Sequence, residues 1–305
     1  DSLYRFTSES EQKEMRLRIY SNVAYYYYMK SAFQASVQLT EKAISLAQEL
    51  RDTLAWSDNL AQQSISYQRL GNLEMAIRTT LDGLYLDSLL QDTLRLSSTY
   101  NNLADLYLTA QRPEDGKQYI DHAIELEHSQ AHPEKLSIRY GMAAELYVKL
   151  GLLPEALDFA CKAYALDMKS GDTLKIARRL SQMGDVYAAM QNLDEAEKVY
   201  RKSSELLELL DERTSLAINY KQMGGLHIRK GNLLLAIRYL EKSATIAEEI
   251  GNKYLLRLVY EKLYRLYRPD RPALALEYME KFSQLKDSLY TEKTNRLLSD
   301  YQVKY

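Results

Sequence analysis

Cysteine and tryptophan each occur once in the 305 residues, phenylalanine four times, histidine four, proline five and glycine eleven. A single cysteine, Cys161, excludes a disulfide within the chain and leaves the redox compartment open. It stands among Leu157, Ala160 and Ala163, which predicts a small buried hydrophobe and not a reactive thiol. So little glycine and proline leaves few turns beyond those that separate helices. No G-x-S-x-G, P-loop, H-E-x-x-H or glycine-rich nucleotide fingerprint occurs, so neither catalysis nor a cofactor is expected. His128 and His132 are four apart but straddle the expected helix end before Pro133, with no cysteine or third histidine beside them, so two solvated loop residues are expected and no metal. No apolar run reaches the roughly 18 residues that a membrane span requires. Charge of neither sign dominates: 40 Lys and Arg stand against 42 Asp and Glu, a net of −2, which argues against a nucleic-acid partner. No signal peptide is present, and a start at Asp1 without methionine leads us to expect a mature or trimmed form whose targeting segment is missing.

What the chain has in abundance is tyrosine, 26 in all, and its placement is periodic. Tyr27, Tyr67, Tyr107, Tyr147, Tyr187 and Tyr267 lie on a 40-residue ruler that breaks only at His227. A second ruler reads Ala76, Gly116, Ala156, Ala196 and Ala236. Self-similarity at such a period means stacked supersecondary units, none of which can bury its apolar face alone. Within the stretch from Tyr140, Ala144 and Tyr147 share a face of one helix, Ala156 and Ala163 share a face of the next, and Gly151 supplies the turn between them. Small residues let two antiparallel backbones approach while the aromatic ring fills the gap beside them. His227 is expected to fill the tyrosine slot with its own ring. The run Tyr25 to Tyr28 points around a whole helix, so at least one of those rings should be exposed.

This pattern, read as Ala104, Tyr107, Gln111, Gly116, Ile120, Ala123 and again as Gly184, Tyr187, Gln191, Ala196, Tyr200, Ser203, resembles the tetratricopeptide repeat family over nearly the whole chain. The family's usual period is about 34 residues. The additional residues here lengthen both helices, with Asp52-Thr53-Leu54, Asp92-Thr93-Leu94 and Asp172-Thr173-Leu174 as caps opening the next first helix. The resemblance implies an all-α, right-handed α-solenoid of about seven helix pairs plus a long C-terminal helix. Turns are expected near Ser31, Gly71, Gln111, Gly151, Gln191, Gly231 and Arg271. Residues 1–282 would form the solenoid and 283–305 a helical linker. The first pair is degenerate at Ser36 and Thr40, and the last at its Pro269-Asp270-Arg271-Pro272 turn.

In this family ligands meet the concave face of the first helices. Carried over by position, one groove column is Tyr25, Ile65, Asp105, Glu145, Asp185, Gly225 and Arg265. A second is Asn22, Gln62, Asn102, Met142, Gln182, Gln222 and Lys262. Amides there can pair with an extended peptide backbone, being donor and acceptor at once. Asp105, Glu145 and Asp185 would form an acidic rail suited to a basic or extended partner, against the plainer reading of a solvated acidic face. Acidic columns in repeats three to five speak against the family's carboxylate clamp.

From Tyr278 the chain is helical in character without proline or glycine, and Tyr290, Thr294, Leu297, Tyr301 and Lys304 make a weak heptad that would support dimerisation through the C-terminal helix. This stretch resembles the junction in bacterial tetratricopeptide sensors, where repeats precede a linker, a membrane span and a histidine kinase or LuxR-type helix-turn-helix output. That resemblance implies the extracytoplasmic, periplasmic input half of a membrane-anchored signalling or transcription-regulatory protein. Two alternatives stay open: a cytoplasmic peptide-receptor regulator, and a passive assembly scaffold or lipoprotein.

Overall fold

The computed structural model describes residues 9–128 and 132–303, with side chains described as far as residue 287. Among the described residues there are fourteen helices and no strand, an all-α solenoid of consecutive helix pairs. Its contacts divide the chain into two compact units, 1–146 and 147–305. The first holds α1 (Glu9–Met29), α2 (Phe33–Leu50), α3 (Thr53–Leu70), α4 (Leu73–Leu90), α5 (Thr93–Thr109), α6 (Pro113–His128) and most of α7 (Pro133–Lys149). The second holds α8 (Leu153–Ser170), α9 (Thr173–Ala189), α10 (Leu193–Leu209), α11 (Arg213–Arg229), α12 (Leu233–Glu249), α13 (Lys253–Tyr267) and α14 (Pro272–Val303). In the first unit α1 packs on α2, α3 on α4 and α5 on α6, with α2 against α3 and α4 against α5 joining the pairs. The second repeats the scheme with α9 on α10, α11 on α12 and α13 on α14. No helix among the described residues is long and apolar enough to cross a membrane.

The turns explain the ruler. Ser31, Gly71, Gln111, Gly151, Gln191 and Gly231 all adopt left-handed backbone, with φ between 59° and 77°. Arg51, Gln91, Gly171, Asp211 and Gly251 do the same between pairs. One residue further on, the amides of Asn72, Arg112, Asn192 and Asn232 donate to the carbonyls of Tyr67, Tyr107, Tyr187 and His227 at 2.9 to 3.0 Å. This closes each helix in the manner of a Schellman motif. The exception is the last turn, where Arg271 N donates to Tyr267 O at 2.8 Å and no left-handed residue is used. A left-handed conformation disfavours any residue with a Cβ. Replacing Gln111 and Gln191 by glycine is therefore expected to stabilise the fold by about 0.5–1 kcal/mol each, after allowing for glycine's greater freedom in the unfolded chain. Denaturant midpoints of the single and double variants check this. The Asp caps act where expected: Asp52 accepts from Ala55 N at 2.9 Å, Asp92 from Leu94 N at 3.0 Å and Asp172 from Lys175 N at 3.0 Å. The Lys175 amide, more than any other group, holds the Asp172 carboxyl below its ordinary range.

Between the helices of a pair, small residues and rings interlock. Ala76, Ala156, Ala196 and Ala236 are fully buried and Gly116 is buried with them. Tyr107, Tyr147 and Tyr267 are buried, Tyr67 and Tyr187 half-buried, and Tyr27 is 38% exposed. Several of these rings meet a second ring about one helix later in the chain. Tyr107 stacks on Tyr119 at 5.5 Å, Tyr147 meets Phe159 edge-on at 5.1 Å, and Tyr267 stacks on Tyr278 at 5.7 Å. His227 takes the tyrosine slot, 1% exposed and stacked on Tyr239 at 5.4 Å.

The histidine ring is expected to make the second unit acid-sensitive. Burial lowers the His227 pKa below its ordinary value; the nearby Glu197, at 4.0 Å, opposes this, while Lys230 and Arg201 add to it. Below about pH 6.5 the unfolded chain binds a proton that the folded ring resists, so this contribution to stability is present above that pH and lost as the pH falls. His227→Tyr should narrow the loss of stability between pH 7 and pH 5. Urea midpoints of the two proteins at both pH values provide the check.

Two expectations need correction. Cys161 is exposed on α8, because the buried positions of that helix are Ala160 and Ala163 and an intervening residue points elsewhere. Partial desolvation and then Asp158 raise its thiol pKa. His128 and His132 are not merely solvated. His128 Nε2 lies 2.7 Å from the Tyr140 hydroxyl, and half-buried His132 lies 3.4 Å from the buried Glu127 carboxylate. At the C-terminus α14 runs unbroken from Pro272 to Val303, the long terminal helix that the sequence leads one to expect. Of the heptad residues, Tyr290, Thr294, Leu297 and Tyr301 lie where only backbone is described, and Lys304 lies outside the described residues.

Candidate ligand-binding groove

The first helices of neighbouring pairs are tied together by polar rungs. In the first unit Ser21 donates to Asn59 at 3.0 Å and Gln68 Nε2 to Asp105 Oδ2 at 2.9 Å. In the second, Ser181 donates to Asn219 at 3.0 Å and Gln222 Nε2 to Asp185 Oδ1 at 2.8 Å. Asp185 also accepts the Tyr200 hydroxyl at 2.5 Å. Two members of the expected acidic rail are thus half-buried and engaged by the fold, whereas Glu145 is exposed.

The other groove positions divide by unit. In the first, Asn22 is exposed on a shallow recess between α1 and α3, Tyr25 is 55% exposed, and Asn102 is exposed. Gln62 is half-buried, with its Nε2 lacking a hydrogen-bond partner. In the second, Gln182 accepts from Arg179 Nη1 at 2.7 Å, and Gly225 and Lys262 are half-buried. Exposed Arg265 pairs with Glu261 of its own helix at 2.6 Å. Near Asp185 the Lys221 ammonium is held below its ordinary pKa, chiefly by burial.

The structure brings three of these positions, Ile65, Asn102 and Asp105, to one cavity of about 80 Å³ between α3, α4 and α5. Its deeper wall includes Ser57, Ser64, Thr80, Gly83 and Asp87. The cause is local sequence. Where α11 buries Ala217, Met223 and Leu226, α3 buries Ser57, Gln63 and Ser66 at the equivalent positions, with Ser64 buried beside them. Buried hydroxyls must find partners, and these do: Ser64 and Thr80 lie 2.5 Å apart and both reach the Ala76 carbonyl.

Beneath the cavity lies a buried charge network that the rulers did not disclose. Asp87, 2% exposed, accepts from Ser57 at 2.6 Å, Thr99 at 2.7 Å and Arg95 Nε at 2.9 Å. Arg95 also reaches Ser57 at 2.8 Å and Asp58 at 2.7 Å. One repeat later, buried Glu127 accepts from Ser97 at 2.7 Å while Arg139 donates to the same hydroxyl at 3.1 Å. In the second unit Asp167 pairs with Arg179 at 2.9 Å. Asp87, Glu127 and Asp167 are 40 apart, as are Ser57 and Ser97, so a search for periodic polar residues would have found them.

Residues 97–128 and 175–249 each match a model of the tetratricopeptide repeat. Both units of the chain carry tetratricopeptide repeats. Its repeats are similar in fold to the apo form of RapI, at 15% identity and a TM-score of 0.67 over 82% of this chain and 88% of that one. They are also similar to the Rap conjugation gene regulator of plasmid pLS20, whose structure contains the Phr* peptide, at 14% identity and 0.63 over 92% and 76%. A third neighbour is the signal transduction ATPase PH0952 from Pyrococcus horikoshii, which has a tetratricopeptide repeat sensor, at 17% identity and 0.57 over 99% and 54%. At these identities the likeness is one of fold. No curated protein matches the tetratricopeptide chain by sequence.

Proposed function

We propose that this chain is a non-enzymatic peptide-binding module that serves as the input of a regulatory protein, receiving an extended peptide along its first helices. The observation that carries this reading is the cavity at Ile65, Asn102 and Asp105, where the fold gives up apolar packing at the positions a groove ligand would meet. Departures from good core packing concentrate at functional sites. Solved neighbours that hold a Phr* peptide or the competence and sporulation factor support the same ligand class. Capture from a library of extended peptides on the intact chain tests it. Asn102→Ala, an exposed side chain with no described hydrogen bond, should weaken capture about tenfold at unchanged melting, the worth of one or two amide bonds to a peptide backbone. Equal capture by the variant would sink the reading.

The continuous helix α14 supports an output role: ligand-dependent repacking of the repeats would be carried along it to a following segment. Membrane anchorage and an extracytoplasmic location are part of this proposal, supported by the resemblance of the C-terminal stretch to the junction in bacterial sensors. The Rap-type neighbours favour a second reading, a cytoplasmic peptide-receptor regulator. Spin-label distances from α14 to α12, with and without peptide, test the lever. The native gene on both sides of this segment decides between anchor and free receptor.

A further inference from the structure

The geometry points to the cavity of α3, α4 and α5 as a socket for an alkylammonium group, such as the end of a lysine side chain; this rests on the groove reading above and specifies its ligand.

Charge selects the class. Both Asp87 oxygens are engaged, and Arg95 balances its charge. Asp105, at the mouth, gives Oδ2 to Gln68, while its Oδ1 has no hydrogen bond among the described residues. Lysine and arginine are absent from the cavity's lining among the described residues. One carboxylate oxygen is therefore available and uncompensated, with the Asn102 amide beside it at the rim. A cation with hydrogen-bond donors is the complement. Shape then selects within the class. A guanidinium prefers a two-oxygen carboxylate face, which Gln68 denies it. An ammonium donates to a single oxygen and trails an apolar stem, for which Ile65, Leu106 and Ala61 supply the wall.

The glycine of this space is particular to the second pair. At the position of Thr80 the other repeats carry Thr40, Ile120, Ala160, Tyr200 and Leu240, and at the position of Gly83 they carry Ala43, Ala123, Ala163, Ser203 and Ser243. A Cβ built on Gly83 would meet only Leu60 Cβ, at 3.9 Å, so the room there is real. In the fifth pair the Tyr200 ring occupies the corresponding interior and its hydroxyl already serves Asp185.

The test uses the intact chain and methyl NMR of Ile65 and Leu106. Titration with n-butylamine should shift both signals saturably, and the neutral isostere n-butanol should not. Asp105→Asn should weaken the amine about tenfold, as expected for a lost charge-assisted bond. The filling variant Thr80→Leu with Gly83→Ala should abolish the shifts while melting no lower than wild type. A short extended peptide with one lysine, compared with its norleucine version, separates the sources: tighter binding by the lysyl peptide assigns a side chain, and amine binding without that gain assigns a free small amine. Equal shifts with butanol, insensitivity to Asp105→Asn, or no saturable shift with amine or lysyl peptide would overturn the socket. Peptide capture indifferent to norleucine, with no saturable shift by the amine, would overturn the socket yet leave the groove reading standing.

Discussion

Arg95→Ala is expected to destabilise the first unit by about 3 kcal/mol, the scale for stripping one partner from a buried ion pair. The guanidinium stands between Asp87, whose side chain is 3% exposed, and Asp58, which is 57% exposed. Removing it leaves the Asp87 carboxylate desolvated with only the Ser57 and Thr99 hydroxyls to hold it. The opposite substitution should be far milder. At the equivalent position of the fifth pair the chain carries buried Leu207, so this interior accepts a branched hydrocarbon. In Asp87→Leu, Arg95 keeps Asp58 and remains partly solvated. We expect that change to cost about 1 kcal/mol or less, since replacing a buried ion with a packed hydrophobe is often neutral. Denaturant midpoints of the two variants measure the contrast. Equal losses would mean that Asp87 matters for its own hydrogen bonds and not for the charge it shares with Arg95.

That contrast also shows where the sequence was legible. Tandem repetition places the same steric demand on the same position of every pair. The tyrosine and alanine rulers, the left-handed turns at Ser31, Gln111 and Gln191, and the Asp52, Asp92 and Asp172 caps all follow from residue spacing alone. The buried acids are equally periodic, but a charged residue reads as surface unless its partner is found, and the partner moves. Arg139 and Arg179 hold one register, at which the second pair's acid meets the hydroxyl of Thr99 instead, and Arg95 comes from four residues earlier. The acidic rail was legible as three residues in column. It was not legible that Gln68 and Tyr200, from different helices, engage two of them. The cavity was hidden for a related reason. Ser64, Thr80 and Gly83 are each ordinary on a helix, and only their meeting on α3 and α4 leaves a space. Cys161 failed through register alone, since alanines near it in sequence do not share its side of α8.

Tyr200→Ala is expected to cost about 4 kcal/mol, the range for deleting a large buried aromatic ring. The residue is 2% exposed on α10, and its hydroxyl, kept protonated by burial and then by Asp185, is the donor to that carboxylate. The loss should therefore combine a cavity with an abandoned acceptor. The ring also explains the glycine opposite it. A Cβ on Gly184 would come within 2.5 Å of Tyr200 Cε1, closer than real contacts allow. Gly184→Ala alone is thus expected to destabilise by about 2 kcal/mol through overpacking. In the Tyr200→Ala background the sign should reverse, because the added methyl enters the vacated space and alanine suits a helix better than glycine. The third pair carries a related solution in Ala104 with Ile120, both fully buried, so Gly184→Ala with Tyr200→Ile should fold more stably than either single variant's loss would suggest. A double-mutant cycle on thermal and denaturant midpoints reads the coupling directly. Additive losses would show that the glycine is set by something other than the ring it faces.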